Sequence, residues 1–298
     1  MRELLYLPPG RSAATGVIGL LLPELANPVF HELAQAIETR AAANGLASIV
    51  CNTGGSPTAE AEYVRMLLER NVDGMIFISC ELAHLDADHS HYAALVGKGA
   101  RLVFVNGALD SFAVPAVGVD ERSAGYLATE HLIGLGHTRI GFVAGPAGYL
   151  PTREKQAGRS AALAAAGLGD GLVAHAGFNV EGGRTALREL LDRAPRKRPT
   201  AVICSNDLMA IGAMLEAAAH GLEVPGDLSV VGFDGIEASR WTQPPLTTVE
   251  QPIRDIAETA VDALQSLIQN PDRPLPNFVF RPRLRLGAST AAPSKESA

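Results

Sequence analysis

The chain has 298 residues, of which 47% are hydrophobic, and it carries a formal net charge of −7. A chain of this length accommodates two domains with a sizeable buried core. The negative charge gives no overall electrostatic attraction for nucleic acid, which disfavours direct binding of DNA or RNA by the chain as a whole. Only 5% of the residues are aromatic, whereas 30 are glycine, and this composition suits close packing of helices on a sheet.

The three cysteines, Cys51, Cys80 and Cys204, each lie in or at the end of an apolar run and form no close pair in the sequence. We interpret them as buried free thiols in a reducing compartment. No apolar segment approaches the length that spans a bilayer, and Val17–Leu22 is too short for the core of a signal peptide. The sequence therefore predicts a cytoplasmic protein with no membrane partner.

From residue 17 onwards, short apolar runs alternate with amphipathic helical segments. This alternation is typical of a parallel sheet with helices on its faces. In the first half the pattern predicts helices between successive strands, and these strands lie at 17–22, 46–51, 72–79, 101–105 and 117–119.

The second half repeats the cycle, which predicts an α/β fold with two doubly wound parallel-sheet lobes. A period-two run at 278–286 predicts one final strand, and residues 291–298 are expected to be disordered. The predicted helices lie at 123–135, 153–166, 182–192, 207–220 and 253–268, and the strands at 140–144, 172–176, 201–205 and 228–233.

Polar residues directly after the strands are the candidates for ligand binding, because ligands of open parallel sheets bind beyond the carboxyl ends of the strands. The apolar run 201–205 ends in Asn206 and Asp207, immediately before a helical pattern. Taken alone, helix capping explains this pair better than ligand binding does. The other candidates are Asn27, Phe30, Ser79, Asn106, Arg153, Lys155, Phe178 and Asp234.

Six stretches carry a family resemblance: LANPVF, VDGMIFIS, HLIGLGHTRIGFVAGP, ICSNDLMAIGAM, VPGDLSVVGFDGIE and LTTVEQP. In this order and at these spacings they resemble the effector-binding core of lactose-repressor (LacI/GalR) type transcription regulators, from Thr15 to Ala288. The resemblance implies a periplasmic-binding-protein-like fold of type I, with two lobes, three crossover segments and a small-molecule effector in the cleft. We also expect the chain not to be an enzyme, because it has no glycine-rich nucleotide-binding motif, no nucleophile motif and no persuasive acid/base pair.

The resemblance implies boundaries for the lobes. Crossovers are expected near Asp120, Thr248–Gln251 and residues 272–275. Residues 1–15 resemble the end of a helix-turn-helix headpiece and a hinge, and they are too short to form two packed helices. The implied partners are a second copy in a homodimer and operator DNA, reached only through the missing headpiece. The expected N-terminal lobe is 16–119 with 252–270, the C-terminal lobe is 120–248 with 275–290, and 291–298 is the tail.

The resemblance also assigns roles to individual residues. It places Asn206 against hydroxyl or amide groups of the effector, with Asp207 orienting the start of the helix. Asp234 is expected to reach into the cleft, where a carboxylate suits paired hydroxyls. Gln251 matches a ligand-contacting position, although a hinge hydrogen bond explains it equally well.

Aromatic and basic positions refine the expected effector. Phe30 is the first residue of an amphipathic face and is also explained as a core residue. Together with Phe178, however, it matches positions where aromatic rings sandwich a sugar or a base. Asn106 is followed by a glycine where sugar-binding relatives often have Asp-Arg, and Lys155 stands where most members have arginine. Lysine and arginine are not interchangeable at a bidentate site. Arg153, two residues before Lys155, is therefore a second candidate for the role of that arginine.

We expect the effector to be a sugar or a sugar-like molecule, with a purine second. The alternative function is that of a periplasmic sugar-binding protein of a transport system. No cofactor is predicted, because the glycine-rich phosphate and dinucleotide motifs and the nucleophile motifs of enzymes do not occur. No metal site is predicted either, because the histidine-rich segment 84–91 lacks the spacing of a structural site.

Overall fold

A computed structural model of the chain describes residues 14–107, 114–193, 198–271 and 273–294. The chain divides into two compact units. The first consists of Met1–Val119 with Pro252–Phe280, and the second of Asp120–Gln251 with Arg281–Ala298. Each unit is built on one six-stranded sheet flanked by helices, and the predicted α/β class with two parallel-sheet lobes is confirmed.

The sheet of the first unit is entirely parallel. Its strands are β1 (Val17–Leu22), β2 (Ala47–Asn52), β3 (Gly74–Ile78), β4 (Leu102–Val105), β5 (Ala116–Val119) and β11 (Phe278–Phe280), in the order β11-β5-β4-β3-β1-β2. One apolar cluster joins a face of the sheet to α1 (Pro28–Ala43) and α8 (Ile253–Gln269). A second cluster joins the other face to α2 (Pro57–Glu69) and α3 (Ser90–Gly97).

The second unit repeats this plan with one antiparallel edge strand. Its strands are β6 (Ile140–Ala144), β7 (Val173–His175), β8 (Ala201–Cys204), β9 (Ser229–Asp234), β10 (Thr247–Glu250) and β12 (Arg283–Arg285), in the order β12-β10-β9-β8-β6-β7. Strand β12 runs antiparallel to β10, and the other pairs are parallel. The helices are α4 (Glu121–Gly134), α5 (Leu150–Ala165), α6 (Val180–Leu191) and α7 (Asp207–Ala219).

Side-chain caps fix where several helices begin. Asn27, Ser56, Asp120, Asn179 and Asn206 each accept a hydrogen bond from a backbone N–H in the first turn of the following helix. Such a cap satisfies a donor that has no partner inside the helix. Because these residues follow strands, the polar side chains that begin the helices also collect at the carboxyl edges of the two sheets.

The prediction of one strand over residues 278–286 is wrong. Phe278–Phe280 pairs with β5 in the first sheet, whereas Arg283–Arg285 pairs with β10 in the second. Pro282 lies between the two strands and has no N–H for a sheet hydrogen bond. The expected C-terminal lobe segment 275–290 is therefore divided, because β11 belongs to the first unit.

The tail expected to be disordered over 291–298 is ordered at its start. The N–H of Ala291 donates to Ser229 Oγ (3.0 Å), and its carbonyl oxygen lies 2.9 Å from His137 Nε2. The main chain of Ala291 thus provides hydrogen-bond partners for the buried side chains of His137 and Ser229. The prediction of disorder rested on amino-acid composition, which does not reveal such contacts. Residues 295–298 lie outside the described residues.

Other expectations also fall outside the described residues. These are the headpiece remnant up to residue 13 and the crossover position 272. Among the helices that the structure does describe, none is long and apolar enough to cross a membrane.

Candidate functional site

The carboxyl edge of the second sheet gathers most of the predicted site residues. Strand β9 ends at Asp234, whose φ of 114° lies in the left-handed region that side chains other than glycine rarely adopt. Such a conformation costs about 1–3 kcal/mol and persists only where the surroundings impose it. Strain of this kind at a strand end is a feature of functional sites.

Asp207 imposes the backbone path after Asp234. Its Oδ2 accepts hydrogen bonds from the N–H groups of Gly235 and Ile236, both at 2.9 Å. Its Oδ1 accepts from the hydroxyl of Thr248 at 2.6 Å. Asp207 is fully buried and both of its oxygens accept hydrogen bonds from the protein, so its demonstrated role is to support the strand end.

The carboxylate of Asp234 is held by Gln251. The amide Nε2 of Gln251 donates to Asp234 Oδ1 at 2.8 Å, and the Gln251 N–H donates to the Asp234 carbonyl at 3.2 Å. Both side chains are largely buried. A structural hydrogen bond, the alternative explanation for Gln251, is therefore present in its bond to Asp234. Direct contact of Gln251 with a ligand stays a prediction.

Burial dominates the electrostatics of the two aspartates. It raises the pKa of Asp234 well above its usual range, and the like charge of Asp207 adds to this effect. Lys155 and the hydrogen bond from Gln251 act in the opposite direction. Burial likewise raises the pKa of Asp207 to about 7, opposed by its three hydrogen bonds. A ligand that donates hydrogen bonds to Asp234 would relieve part of this cost.

Lys155 and Arg153 occupy different environments, although both belong to α5. Lys155 is buried, with Nζ 2.5 Å from Glu121 Oε2 and 3.7 Å from the centroid of the Phe233 ring. Arg153 keeps 56% of its side chain exposed and pairs with its neighbour Glu154. The structure thus brings Lys155, and not Arg153, to the strand end that carries Asp234.

Phe178 and Asn206 meet at the ends of β7 and β8. The Phe178 ring lies edge-on to Tyr149, with ring centroids 5.4 Å apart. Gly145 makes this arrangement possible, because a Cβ at that position would overlap the Phe178 ring. Asn206 accepts from Met209 N (2.8 Å) as the helix cap and donates to the Phe178 carbonyl (3.3 Å). Capping is therefore a demonstrated role of Asn206, and ligand contact stays a prediction.

The first unit places its predicted residues at the carboxyl edge of its own sheet. Ser79 and Asn106 follow the paired strand ends of β3 and β4, and both have φ near +55°. Asn27 is buried and caps α1, while Phe30 is half-buried against the core beneath that helix. These two pairs lie beyond strands β1, β3 and β4, as the sequence predicts.

Sequence reasoning missed Glu121, Thr152 and Tyr149. Glu121 was hidden because it begins a helix, where an acidic residue is ordinary. The Thr152 hydroxyl is buried beside Gly145 and has no hydrogen-bond partner among the residues that the structure describes. Buried hydroxyls are normally paired, so Thr152 is a further candidate for a ligand contact. Within the described ranges, no group of three or more His, Cys, Asp or Glu side chains is placed to hold a metal ion.

Comparison with known proteins assigns this architecture to a family. The family profile described as periplasmic binding proteins and sugar binding domain of LacI family matches residues 15–279. An uncharacterized HTH-type transcriptional regulator in the aml 5' region of Streptomyces limosus is 41% identical over 94% of this chain and 80% of its own length. The HTH-type transcriptional regulator MalR of Streptomyces coelicolor is 37% identical, with 95% and 83% covered. The chain belongs to the LacI family.

A solved structure supports the same assignment. A LacI family transcriptional regulator from Enterococcus faecium with bound ribose matches with a TM-score of 0.82 at 28% identity, over 93% of this chain and all of that one. The periplasmic-binding-protein-like fold is therefore confirmed. The prediction of a ligand-responsive regulator, in preference to a transport protein, is confirmed as well, since these relatives are named transcriptional regulators and not enzymes.

Proposed function

We propose that this chain is the effector-binding and dimerisation core of its regulator and that the effector is a sugar bound at the carboxyl edge of the second sheet. Asp234 carries the proposal. It is a buried carboxylate in strained backbone, held by Gln251 and aimed from the end of β9. A carboxylate fixed in this way accepts charge-assisted hydrogen bonds from adjacent hydroxyl groups, the groups that distinguish sugars from apolar ligands.

Other residues of the second unit supply the remaining contacts. Phe178 offers an apolar ring face for the C–H surface of a sugar, and Tyr149 fixes the orientation of that ring. Thr152 supplies a hydroxyl, and Asn206 supplies the amide hydrogen that it does not donate to the Phe178 carbonyl. We also assign Lys155 to this site, because it is buried beside Phe233 at the end of β9. Arg153 is assigned to the solvent-exposed border of the site. In the first unit, Asn27, Phe30, Ser79 and Asn106 stay candidate ligand-binding residues at the carboxyl edge of their own sheet. The bound ribose of the Enterococcus faecium relative supports the ligand class.

The proposal includes a homodimer that acts on DNA in the cytoplasm. Large apolar side chains remain exposed in both units, at 68% for Trp241, 68% for Val279 and 66% for Leu286. Exposed side chains of this size are enriched where subunits meet. In this proposal, a helix-turn-helix segment contacts the operator and this acidic core does not. The effector binds one arrangement of the core more tightly than another, and this difference in affinity changes operator binding. Analytical ultracentrifugation tests the dimer.

Thermal unfolding tests the effector. The purified chain is heated with neutral sugars, sugar phosphates, nucleobases and amino acids, and a ligand at a hundredfold excess over its Kd adds about 2.7 kcal/mol to the free energy of unfolding. We expect a selective rise in melting temperature with one sugar. Asp234→Asn, which keeps the shape of the side chain, should remove most of that rise. Asp227→Asn, at an exposed turn of the same unit where Asp227 accepts from Glu223 N, should keep it.

Two results would contradict the proposal. A nucleobase or an amino acid as the selective stabiliser would contradict the sugar assignment. An unchanged sugar response in Asp234→Asn would remove Asp234 from the site, and the ligand would have to be placed elsewhere.

A further inference from the structure

Two glycines bring helices α4 and α5 into backbone contact. A Cβ at Gly125 would overlap the carbonyl of Lys155, and a Cβ at Gly158 would overlap the carbonyl of Arg122. Side chains one turn before each glycine therefore face each other at close range. Those side chains are Glu121 on α4 and Lys155 on α5, and their charged atoms are 2.5 Å apart.

Lys155 has no freedom to serve a ligand as a free cation. Only 5% of its side chain and 14% of that of Glu121 are exposed. The ammonium group lies between the Glu121 carboxylate on one side and the face of the Phe233 ring on the other. As an ion pair the two side chains have zero net charge; burial raises the pKa of Glu121, and the charge of Lys155 opposes that rise.

With Lys155 paired with Glu121, the described residues at this strand end offer a ligand no net positive charge. The groups acting on Asp234 are Asp207, Lys155, Gln251 and Glu121. With Lys155 neutralised by Glu121, the two aspartates have no opposite charge of their own in this set. Arg285 is an opposite charge that acts on Asp207, but its guanidinium is already engaged, since it donates to Glu250 Oε1 at 2.5 Å and to Ser239.

We propose that Glu121 determines effector specificity: by neutralising Lys155, it makes the second unit select uncharged polyhydroxy compounds over their phosphate or carboxylate forms. This inference rests on the proposed function and narrows its ligand class. An uncharged sugar donates its hydroxyl hydrogens to Asp234 at no electrostatic cost. A phosphate group would bring negative charge to this buried strand end, and among the residues that the structure describes there it would find no unpaired cation to offset its desolvation.

The ion pair of Glu121 with Lys155 predicts how the affinity for phosphate changes when Glu121 loses its charge. Glu121→Gln retains the shape of the side chain and leaves Lys155 as an unpaired buried cation. A phosphate then gains a charge-assisted partner worth about tenfold in affinity. The control is Glu154→Gln, which makes the same change in net charge on α5 but acts on a carboxylate paired with Arg153.

Isothermal titration with the full chain tests the inference, with ribose, ribose 5-phosphate, glucose, glucose 6-phosphate and inorganic phosphate as probes. In the unaltered chain we expect neither phosphate ester to bind more tightly than its parent sugar. In Glu121→Gln, affinity for a phosphate ester or for inorganic phosphate should rise about tenfold, and Glu154→Gln should behave like the unaltered chain. A merely structural role of Glu121 would weaken all probes alike and would not change their order.

The outcomes separate this inference from the proposed function. Tighter binding of a phosphate ester by the unaltered chain overturns the inference and leaves a sugar-responsive regulator intact. If no sugar stabilises the chain in the thermal-unfolding panel, the proposed ligand class is wrong. The affinity of Glu121→Gln for phosphate still tests the inference in that case, because it does not require a sugar to bind. If Glu121→Gln does not fold, Glu121→Gln combined with Lys155→Gln removes both charges and should reject phosphates as the unaltered chain does. Phosphate binding by that double variant also overturns the inference.

Discussion

At the scale of single residues, Asp207 organises the strand end through three hydrogen bonds. Asp207→Ala should lower the free energy of unfolding by about 3 kcal/mol, because the N–H groups of Gly235 and Ile236 and the Thr248 hydroxyl lose their acceptor in a buried place. Asp207→Asn should cost less, since its amide oxygen can accept both N–H groups and its NH₂ can donate to Thr248. Urea denaturation at pH 8 measures both.

The control for this pair of variants is an exposed aspartate with a similar backbone contact. Asp227 accepts from Glu223 N at 2.8 Å in an exposed turn, and Asp227→Ala should cost under about 1 kcal/mol. If Asp207→Ala cost as little as Asp227→Ala, the three hydrogen bonds would not be supporting the strand end.

Asp207 also predicts a dependence of stability on pH. Burial raises its pKa from 3.8 to about 7 in the folded chain, so the folded state binds the proton more tightly than the unfolded state does. The resulting stabilisation is complete below pH 3.8 and is lost as the pH rises through about 7. Between pH 5 and pH 8, the free energy of unfolding should therefore fall more steeply in the unaltered chain than in Asp207→Asn. Parallel curves for the two proteins would contradict the raised pKa.

At the scale of elements, helices α4 and α5 should depend on the absence of a side chain at their contact. Gly158→Ala should destabilise the chain by about 1–3 kcal/mol, because the new Cβ overlaps the Arg122 carbonyl and a backbone cannot yield as a side chain can. This cost exceeds the helix propensity of about 1 kcal/mol that alanine gains over glycine. Melting temperature and denaturant midpoint report the change.

Gly134→Ala is the matched control for the helix contact. Gly134 lies in α4 with nothing within 4 Å of its absent Cβ, so alanine there should raise stability by up to about 1 kcal/mol. Opposite signs for the two substitutions would show that packing outweighs propensity at Gly158. If Gly158→Ala were stabilising, the two helices could move apart without cost. The helix contact would then not be what holds Glu121 close to Lys155.

At the scale of the whole molecule, periodicity alone predicted strands β1 to β9, which form most of the two sheets. Strands buried on both faces are continuous apolar runs, and these runs are visible without a structure. Strand β10 and the division of 278–286 between two sheets could not be predicted from periodicity, because these strands have only three or four residues each and are defined by partners elsewhere in the chain. The same limit applies to the site: Asp234 follows a strand and was found, whereas the contact of Glu121 with Lys155 depends on two glycines whose packing partners the sequence does not reveal.

The C-terminal segment supplies the last prediction, because it completes the second unit as part of its hydrogen-bonded core. The fully buried Ser289 accepts from Val230 N (2.8 Å) through its carbonyl and from Thr247 N (2.8 Å) through its hydroxyl. A chain that ends at Ala288 leaves both N–H groups buried without acceptors, at about 1–3 kcal/mol each, and also removes the contact of Ala291 with His137. Circular dichroism during urea denaturation should show a loss of at least about 3 kcal/mol. A chain that ends at Ser294 keeps all of these contacts and should unfold like the full chain, so equal losses in the two truncations would contradict a structural role for residues 289–291.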